Sequence, residues 1–202
     1  FKKRKFTFFQ SELNTRLLFI EGQIYQKANE YDQATKCFKK TARRAGDYEM
    51  QFASNLNIAM CYDPKKSSSK SIISRLNKMA EDKKNVEYRD QVYYALGEVY
   101  FRDKNVDKAC TQWEESVHLS TTNKQQKITS ALRAADTYFS LLEKYEKAQM
   151  YYDTALAVMP KDYPNRANIE SRQKVLTNLV TDLRCVERWD SLIAMSMLSQ
   201  EE

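Results

Sequence analysis

The sequence predicts an all-α protein, a right-handed superhelical solenoid of antiparallel helix hairpins with about four repeats and a partial fifth. The first observation is a ladder of tyrosines, Tyr25, Tyr62, Tyr100 and Tyr138, separated by 37, 38 and 38 residues. Such a period is typical of solenoids built from one repeated supersecondary unit. The second is that only three glycines and three prolines occur in 202 residues. Strand-and-turn folds need more chain breakers, so helices are favoured.

Small and aromatic residues around the tyrosines give the third observation. Three places before each tyrosine stands a glycine or alanine: Gly22, Ala59, Gly97 and Ala135. In three of the units an alanine nine or ten residues after the tyrosine is followed by an aromatic residue: Ala34 and Phe38, Ala109 and Trp113, Ala148 and Tyr152. Small residues let two helices approach closely, and large ones fill the gaps between hairpins.

The apolar pattern and the breakers place each helix in turn. First helices of the hairpins are predicted over about 10–28, 48–62, 86–103, 124–142 and 164–184, and second helices over about 31–45, 69–82, 106–119 and 145–158. A last helix is predicted to begin near residue 187. Gly46 is expected to end a helix in the left-handed conformation. The second hairpin has Pro64 and a polar run, 65–70, which predict a stretched turn.

The resulting organisation has six segments. They are a basic N-terminal lead-in (1–14), repeat 1 (15–48), a repeat-like unit with an extended turn (49–85), repeat 3 (86–122), repeat 4 (123–162) and a partial fifth hairpin or capping helices (163–202).

The net charge of +6 is concentrated at one end of the chain. Lys2, Lys3, Arg4 and Lys5 supply four of the positive charges, and the remaining chain is nearly neutral. A basic end on a neutral body is typical of a solvated tail, so no nucleic-acid partner is expected. No stretch approaches the roughly 18 apolar residues of a membrane span.

Little in the sequence indicates catalysis, a metal or a cofactor. His118 is the only histidine and the four cysteines are widely spaced, which argues against a zinc site and against a Cys-His or Ser-His system. All four cysteines are expected to be structural and reduced. No glycine-rich phosphate loop occurs. We therefore predict a protein that is not an enzyme, binds no cofactor and takes no small-molecule substrate.

The ladder resembles the tetratricopeptide repeat (TPR). The best match is Leu96-Gly97-x-x-Tyr100, followed by Ala109 and Trp113, and the fourth unit also ends in Pro160. The resemblance implies a scaffold that binds protein partners along the groove lined by the first helix of each hairpin. Counting from the small residue, the candidate partner-binding positions are Arg16, Phe19, Gln23, Lys27, Asn57, Gln91, Tyr94, Glu98, Phe101, Arg102, Asp136 and Phe139.

Longer stretches resemble a narrower family. Asp47-Tyr48-Glu49-Met50-x-Phe52, Glu87-Tyr88-x-Asp90-Gln91 and Leu183-x-x-Val186-x-x-x-Asp190-Ser191-Leu192 are similar to the Bacteroidetes TPR lipoproteins known as PorW and SprE. That resemblance implies a role in type IX protein secretion or gliding motility, on the periplasmic side of the outer membrane. It implies partners among the secretion components and a fragment whose lipid anchor lies upstream.

Two other interpretations stay open. A generic bacterial TPR adaptor would bind a peptide or protein partner in another pathway. An RNA-associated or enzymatic module would rest on the basic N-terminus alone. Steep loss of binding between about 50 and 200 mM salt would mark the nucleic-acid alternative.

Overall fold

The computed structural model describes residues 2–197, with side chains described from residue 11 to residue 197. Within that range the chain forms nine α-helices and no strand, which confirms the prediction of an all-α helical repeat. The helices are α1 (Lys2–Lys27), α2 (Tyr31–Arg44), α3 (Tyr48–Met60), α4 (Lys70–Glu81), α5 (Arg89–Arg102), α6 (Val106–Leu119), α7 (Lys124–Ser140), α8 (Tyr145–Val158) and α9 (Arg166–Ser196), with a 3-10 helix at Lys83–Tyr88. None of the described helices combines the length and apolarity that crossing a membrane requires.

The chain divides into two compact units, Phe1–Gln112 and Trp113–Glu202, and the division falls within α6. In the first unit α1 packs on α2, α2 on α3, and α5 on α3 and α4. Phe38 of α2 is fully buried, and Phe19 meets it edge-on with ring centroids 5.4 Å apart. Gly22 lies against the same ring: a Cβ atom there would be 2.8 Å from Cε1 of Phe38. The glycine of the ladder is therefore required for the close approach of α1 and α2.

The hairpin turns repeat one hydrogen-bonding pattern at the ladder tyrosines. The carbonyl of Tyr25 accepts from the N–H of Glu30 at 2.9 Å, and that of Tyr100 accepts from Asn105 at 2.9 Å. The residues before these donors, Asn29 and Lys104, have positive φ values of 61° and 59°. This is the Schellman arrangement, in which a left-handed residue satisfies the last helical carbonyls.

The second hairpin departs from that pattern, as the sequence predicts. Nine residues, 61–69, separate α3 from α4. In this longer turn Oδ1 of Asp63 accepts from the N–H of Lys65 at 2.9 Å, and Nζ of Lys66 pairs with Oδ2 of Asp32 at 2.5 Å. The Tyr62 hydroxyl contacts Oδ1 of Asp103 at 2.6 Å and so ties the turn to the end of α5.

In the second unit α7 packs on α8, and α8 packs on α9. The contact face of α7 carries small buried residues, Ala131, Ala134 and Ala135, which are all fully buried. Tyr152 of α8 and Leu176 of α9 are buried to within about one percent of their surface. The alanine and aromatic positions of the ladder thus form the contact between these helices.

Three local predictions are wrong. Gly46 does not have a positive φ; α2 ends instead at Ala45, whose N–H donates to the carbonyl of Thr41. α1 already begins at Lys2 rather than near residue 10. The break predicted near residue 187 is absent because α9 runs through to Ser196, consistent with the lack of glycine and proline beyond Pro164. Residues 198–202 of the predicted last segment lie outside the described part of the chain.

Candidate functional site

One cleft of the second unit lies between α7 and α9 and is also lined by Tyr152 of α8. Its volume is about 710 Å³. Apolar side chains and amides share its walls: Leu132, Tyr163, Pro164 and Ile169 with Gln125, Asn165 and Asn168. This mixture suits an extended segment, because apolar surface supplies the driving force and amides can bond a peptide backbone.

A charged network forms one wall of the cleft. Nη1 of Arg172 donates to Oδ1 of Asp136 at 2.8 Å and to the Tyr152 hydroxyl at 3.1 Å. The Tyr152 hydroxyl in turn bonds to the Asp136 carboxylate. Burial, together with that carboxylate, raises the pKa of Tyr152 to about 12, so the phenol stays protonated and donates at neutral pH. The hydrogen bond to Tyr152 also raises the pKa of Arg172, which keeps the guanidinium charged.

A smaller cleft of about 420 Å³ continues along the same two helices. Asn168 and Arg172 line both clefts, and the second one adds Phe139, Val175 and Leu179. Phe139 is 37% exposed and meets the Tyr145 ring edge-on, with centroids 5.9 Å apart. We call the two clefts together the α7–α9 groove. It presents an apolar patch on either side of the Asp136–Arg172 pair.

The sequence prediction reaches one wall of this groove. Asp136 and Phe139, both predicted from the repeat register, line it. The α9 wall, with Asn168, Ile169 and Arg172, is missed because the tyrosine ladder ends at Tyr138. The spacing of Asn168, Ile169 and Arg172, which places them on one helix face, is the signal that could have found it.

The predicted residues on α1 do not share one environment. Phe19 packs against the buried cluster of Ala34, Phe38 and Cys61. Arg16 pairs with Glu12 of the same helix at 2.9 Å in an exposed position. The two remaining predicted residues of this helix are exposed: Gln23 and Lys27.

The predicted residues on α3 and α5 are more enclosed. Asn57 uses its Nδ2 to donate to the carbonyl of Ala53 at 2.9 Å, one turn earlier. Glu98 is only 9% exposed. Three others are half-buried: Gln91, Tyr94 and Phe101.

Arg102 has a structural part to play in the first unit. Its Nη1 donates to the carbonyls of Met60 at 2.5 Å and Tyr62 at 2.7 Å, where α3 ends. The guanidinium also lies over the Tyr31 ring, 5.0 Å from its centroid. Arg102 therefore satisfies helix-end carbonyls that the long second turn leaves without the Schellman bonds.

The cysteines are in two kinds of environment. Cys37, Cys61 and Cys110 are buried, as expected for small apolar residues, whereas Cys185 is exposed and fills no core position. Burial raises the pKa of the Cys61 thiol to about 11. No group of three or more His, Cys, Asp or Glu side chains with metal-binding placement occurs among the described residues.

Comparison with known proteins identifies the repeat. Two families described as tetratricopeptide repeat match residues 15–48 and 88–161, which together make up just over half of the chain. The search of curated proteins found no match. Tetratricopeptide repeats are in general non-enzymatic modules that bind protein partners. The matched stretches contain three of the four ladder tyrosines, Tyr25, Tyr100 and Tyr138, with the helices that carry them, and the chain is therefore a tetratricopeptide repeat protein.

Proposed function

We propose that this TPR protein is a non-enzymatic scaffold that holds a partner protein by a segment bound in the α7–α9 groove. The observation that carries the proposal is the groove itself, with its two apolar patches flanking the Asp136–Arg172 pair. That arrangement offers anchor sites for apolar side chains and a fixed polar group between them. We expect the partner to present a short segment with apolar residues on both sides of a polar one.

For the pathway, we propose type IX secretion or gliding motility, on the periplasmic side of the outer membrane. Support comes from the stretches around Asp47–Phe52, Glu87–Gln91 and Leu183–Leu192, which resemble PorW and SprE. The partners would be secretion components, and the protein would reach the membrane through an upstream lipid anchor. A generic TPR adaptor for another pathway is the alternative.

Site-specific photo-cross-linking in the native cell envelope tests both parts. A photoreactive residue replaces Asn168, which lines both clefts, and in a matched control it replaces Asn178, an exposed asparagine of the same helix outside them. We expect a discrete cross-linked partner from position 168 and none from position 178. Asn168→Ala should weaken capture of the same partner, whereas Asn178→Ala should not.

The outcomes separate the two parts of the proposal. Equal cross-linking from positions 168 and 178 would remove the groove as the binding site. A specific partner from position 168 that belongs to the cytosol would retain the scaffold and reject the secretion role in favour of the generic adaptor.

A further inference from the structure

The polar centre of the α7–α9 groove contains hydrogen-bond donors that no described residue uses. A guanidinium carries five N–H groups, one on Nε and two on each Nη. Nη1 of Arg172 has two acceptors for its two N–H groups, Oδ1 of Asp136 at 2.8 Å and the Tyr152 hydroxyl at 3.1 Å. Nε and Nη2 of Arg172 have no acceptor among the described residues. Three N–H groups are therefore left for a ligand in the groove.

Tyr152 and Asp136 hold the guanidinium in place. Tyr152 stays protonated at neutral pH because its pKa is about 12, so its single proton goes to Asp136 and its oxygen accepts from Arg172. Since Tyr152 is buried on α8, the position of that oxygen is fixed. The opposite edge of the guanidinium, Nε with Nη2, is one that binds a carboxylate through two parallel N–H bonds. The Arg172 side chain is 55% exposed and lines both clefts, so a ligand can reach it.

The walls of the groove carry most of the positive charge of the second unit. The segments that form them, 124–140 and 159–175, contain seven Lys or Arg residues and three Asp or Glu residues. The rest of 113–202 contains four Lys or Arg residues and ten Asp or Glu residues. Charges within about 10 Å add to the potential at a site. The groove is therefore the positive part of an otherwise acidic unit, and an anionic ligand complements it.

A cationic ligand side chain would meet a less favourable environment at the same place. It would have to pair with Asp136, whose Oδ1 already accepts from Arg172 and from the Tyr152 hydroxyl. It would also enter the positive potential of the walls. A carboxylate instead meets three N–H donors and a charge of opposite sign.

Apolar surface on both sides of Arg172 decides between a side-chain carboxylate and a chain end. Leu132 and Ile169 line the larger cleft, and Val175 and Leu179 line the smaller one. A segment that occupies both clefts passes Arg172 in its middle. A carboxylate at that point belongs to an Asp or Glu side chain within the segment and not to its C-terminus.

We infer that the segment bound in the α7–α9 groove presents an Asp or Glu side chain to the Nε–Nη2 edge of Arg172, with apolar residues before and after it. Tyr152 and Asp136 are positioning residues in this arrangement. The inference rests on the proposed function, because it requires that the groove holds a partner segment. Charge-assisted hydrogen bonds of this kind contribute about tenfold or more in affinity.

Peptide selection on the whole chain is the primary test. The probe is a library of short random peptides displayed on phage, without a free carboxyl terminus. We expect the selected sequences to carry an Asp or Glu between apolar residues. One of them is then synthesised with acetylated and amidated ends, together with a counterpart that has Asn or Gln in place of the acidic residue. In calorimetric titration the neutral peptide should bind about tenfold more weakly.

A double-mutant cycle assigns the carboxylate to Arg172. In Arg172→Gln the two peptides should bind within about twofold of each other, because the group that distinguishes them is gone. Arg184→Gln is the matched control: Arg184 lies on the same helix outside both clefts, and its Nε pairs with Oε1 of Glu146 at 2.6 Å. This variant should keep the tenfold difference. Circular dichroism establishes that each variant is folded, and the comparison of the two peptides on the parent protein needs no variant.

Asn168→Ala separates failure of the inference from failure of the proposed function. If no peptide is enriched, or if Asn168→Ala leaves the affinity of the selected peptide unchanged, the groove is not the binding site and both are rejected. If Asn168→Ala weakens binding but the selected peptides carry Lys, Arg or no charge between their apolar residues, the groove is retained and the carboxylate inference is overturned. A tenfold difference that persists in Arg172→Gln also overturns it.

Discussion

Tyr138 illustrates how single side chains fasten the repeats. Its hydroxyl lies 2.7 Å from Oε1 of Glu114, and Nζ of Lys147 lies 3.1 Å from the same oxygen. The lysine also lies over the tyrosine ring, 4.9 Å from the centroid. Tyr62 bonds to Asp103 in a comparable way. The ladder tyrosines are therefore more than spacers, because two of them place a hydroxyl against a carboxylate.

Gly22 provides a direct test of close helix packing. Gly22→Ala should lower the free energy of unfolding by about 1–3 kcal/mol, because the new Cβ atom would lie 2.8 Å from the buried Phe38 ring. Gly46→Ala is the control, since nothing lies within 4 Å of a Cβ atom there. We expect its effect to stay within about 0.5 kcal/mol in urea unfolding. Equal losses for both variants would contradict the packing argument.

Cys61 predicts how stability depends on alkaline pH. Its thiol has a pKa raised from 9.0 to about 11 by burial. Below pH 9 both states keep the proton. Above it the unfolded thiol ionises first, which favours unfolding, so the contribution is lost between pH 9 and about 11.

The measurement is the free energy of unfolding across that pH range. Between pH 9 and about 11 we expect the free energy of unfolding of the parent protein to fall by about 1–2 kcal/mol because of Cys61. In Cys61→Ala this part of the decrease should be absent. The exposed Cys185 provides the control, and Cys185→Ala should leave the slope as it is. An unchanged slope in Cys61→Ala would assign the alkaline loss to other groups, Tyr152 among them.

The hairpin turns contain strained backbone at the ends of helices. Asn29, Lys104 and Glu143 all have positive φ values, and none is a glycine. Residues with a Cβ atom are strained by roughly 1 kcal/mol in this region, asparagine least of all. The repeats maintain these turns because the bonds from Glu30 to Tyr25 and from Asn105 to Tyr100 satisfy helix-end carbonyls.

Lys104→Gly should therefore stabilise the protein by about 0.5–1 kcal/mol, since glycine adopts positive φ without strain. The thermal midpoint should rise. Lys40→Gly makes the same chemical change within α2 and should instead cost about 1 kcal/mol. A lower thermal midpoint for Lys104→Gly would show that the lysine side chain stabilises the protein by more than its backbone strain destabilises it.

The helices that could be predicted from the sequence are those in which the repeat residues occur at their usual spacing. α5 and α6 are bounded closely because Leu96, Gly97 and Tyr100 recur at the family spacing. The continuation of α9 past residue 187 was missed because the repeat pattern favours a turn there, although no glycine or proline beyond Pro164 interrupts the helix. The prediction that Gly46 has a left-handed conformation was wrong because glycine permits a positive φ without requiring one.

The candidate site divides in the same way. Asp136 and Phe139 were accessible from the register of α7. The inward use of Arg102 was not, because its acceptors are carbonyls that become free only through the long turn after Met60. Every residue carries a backbone carbonyl, so the amino-acid sequence does not show which carbonyls are free to accept a hydrogen bond.

Stability across the two units should follow the logic of repeat arrays, in which each helix depends on its neighbours. The first unit has its own core around Leu76, Val92 and Leu96, and in the second Leu176 and Val180 are buried on α9. We therefore expect each unit to open locally without opening the other, with the boundary within α6.

A matched pair of cavity variants tests this. Leu76→Ala and Leu176→Ala each remove a fully buried leucine, at an expected cost of about 2–5 kcal/mol. By hydrogen exchange, Leu76→Ala should accelerate amides of α3, α4 and α5, and Leu176→Ala those of α8 and α9. Acceleration spread evenly through both units by either variant would instead indicate one cooperative unit.

The contrast between Cys185 and the three buried cysteines gives the protein a natural attachment point for a probe. A thiol-reactive nitroxide reagent should label only Cys185 under native conditions, because the other three cysteines are buried: Cys37, Cys61 and Cys110. Cys185 immediately precedes Val186. Electron spin resonance of the labelled wild-type chain would then report how freely the last turns of α9 move, without any substitution in the helix.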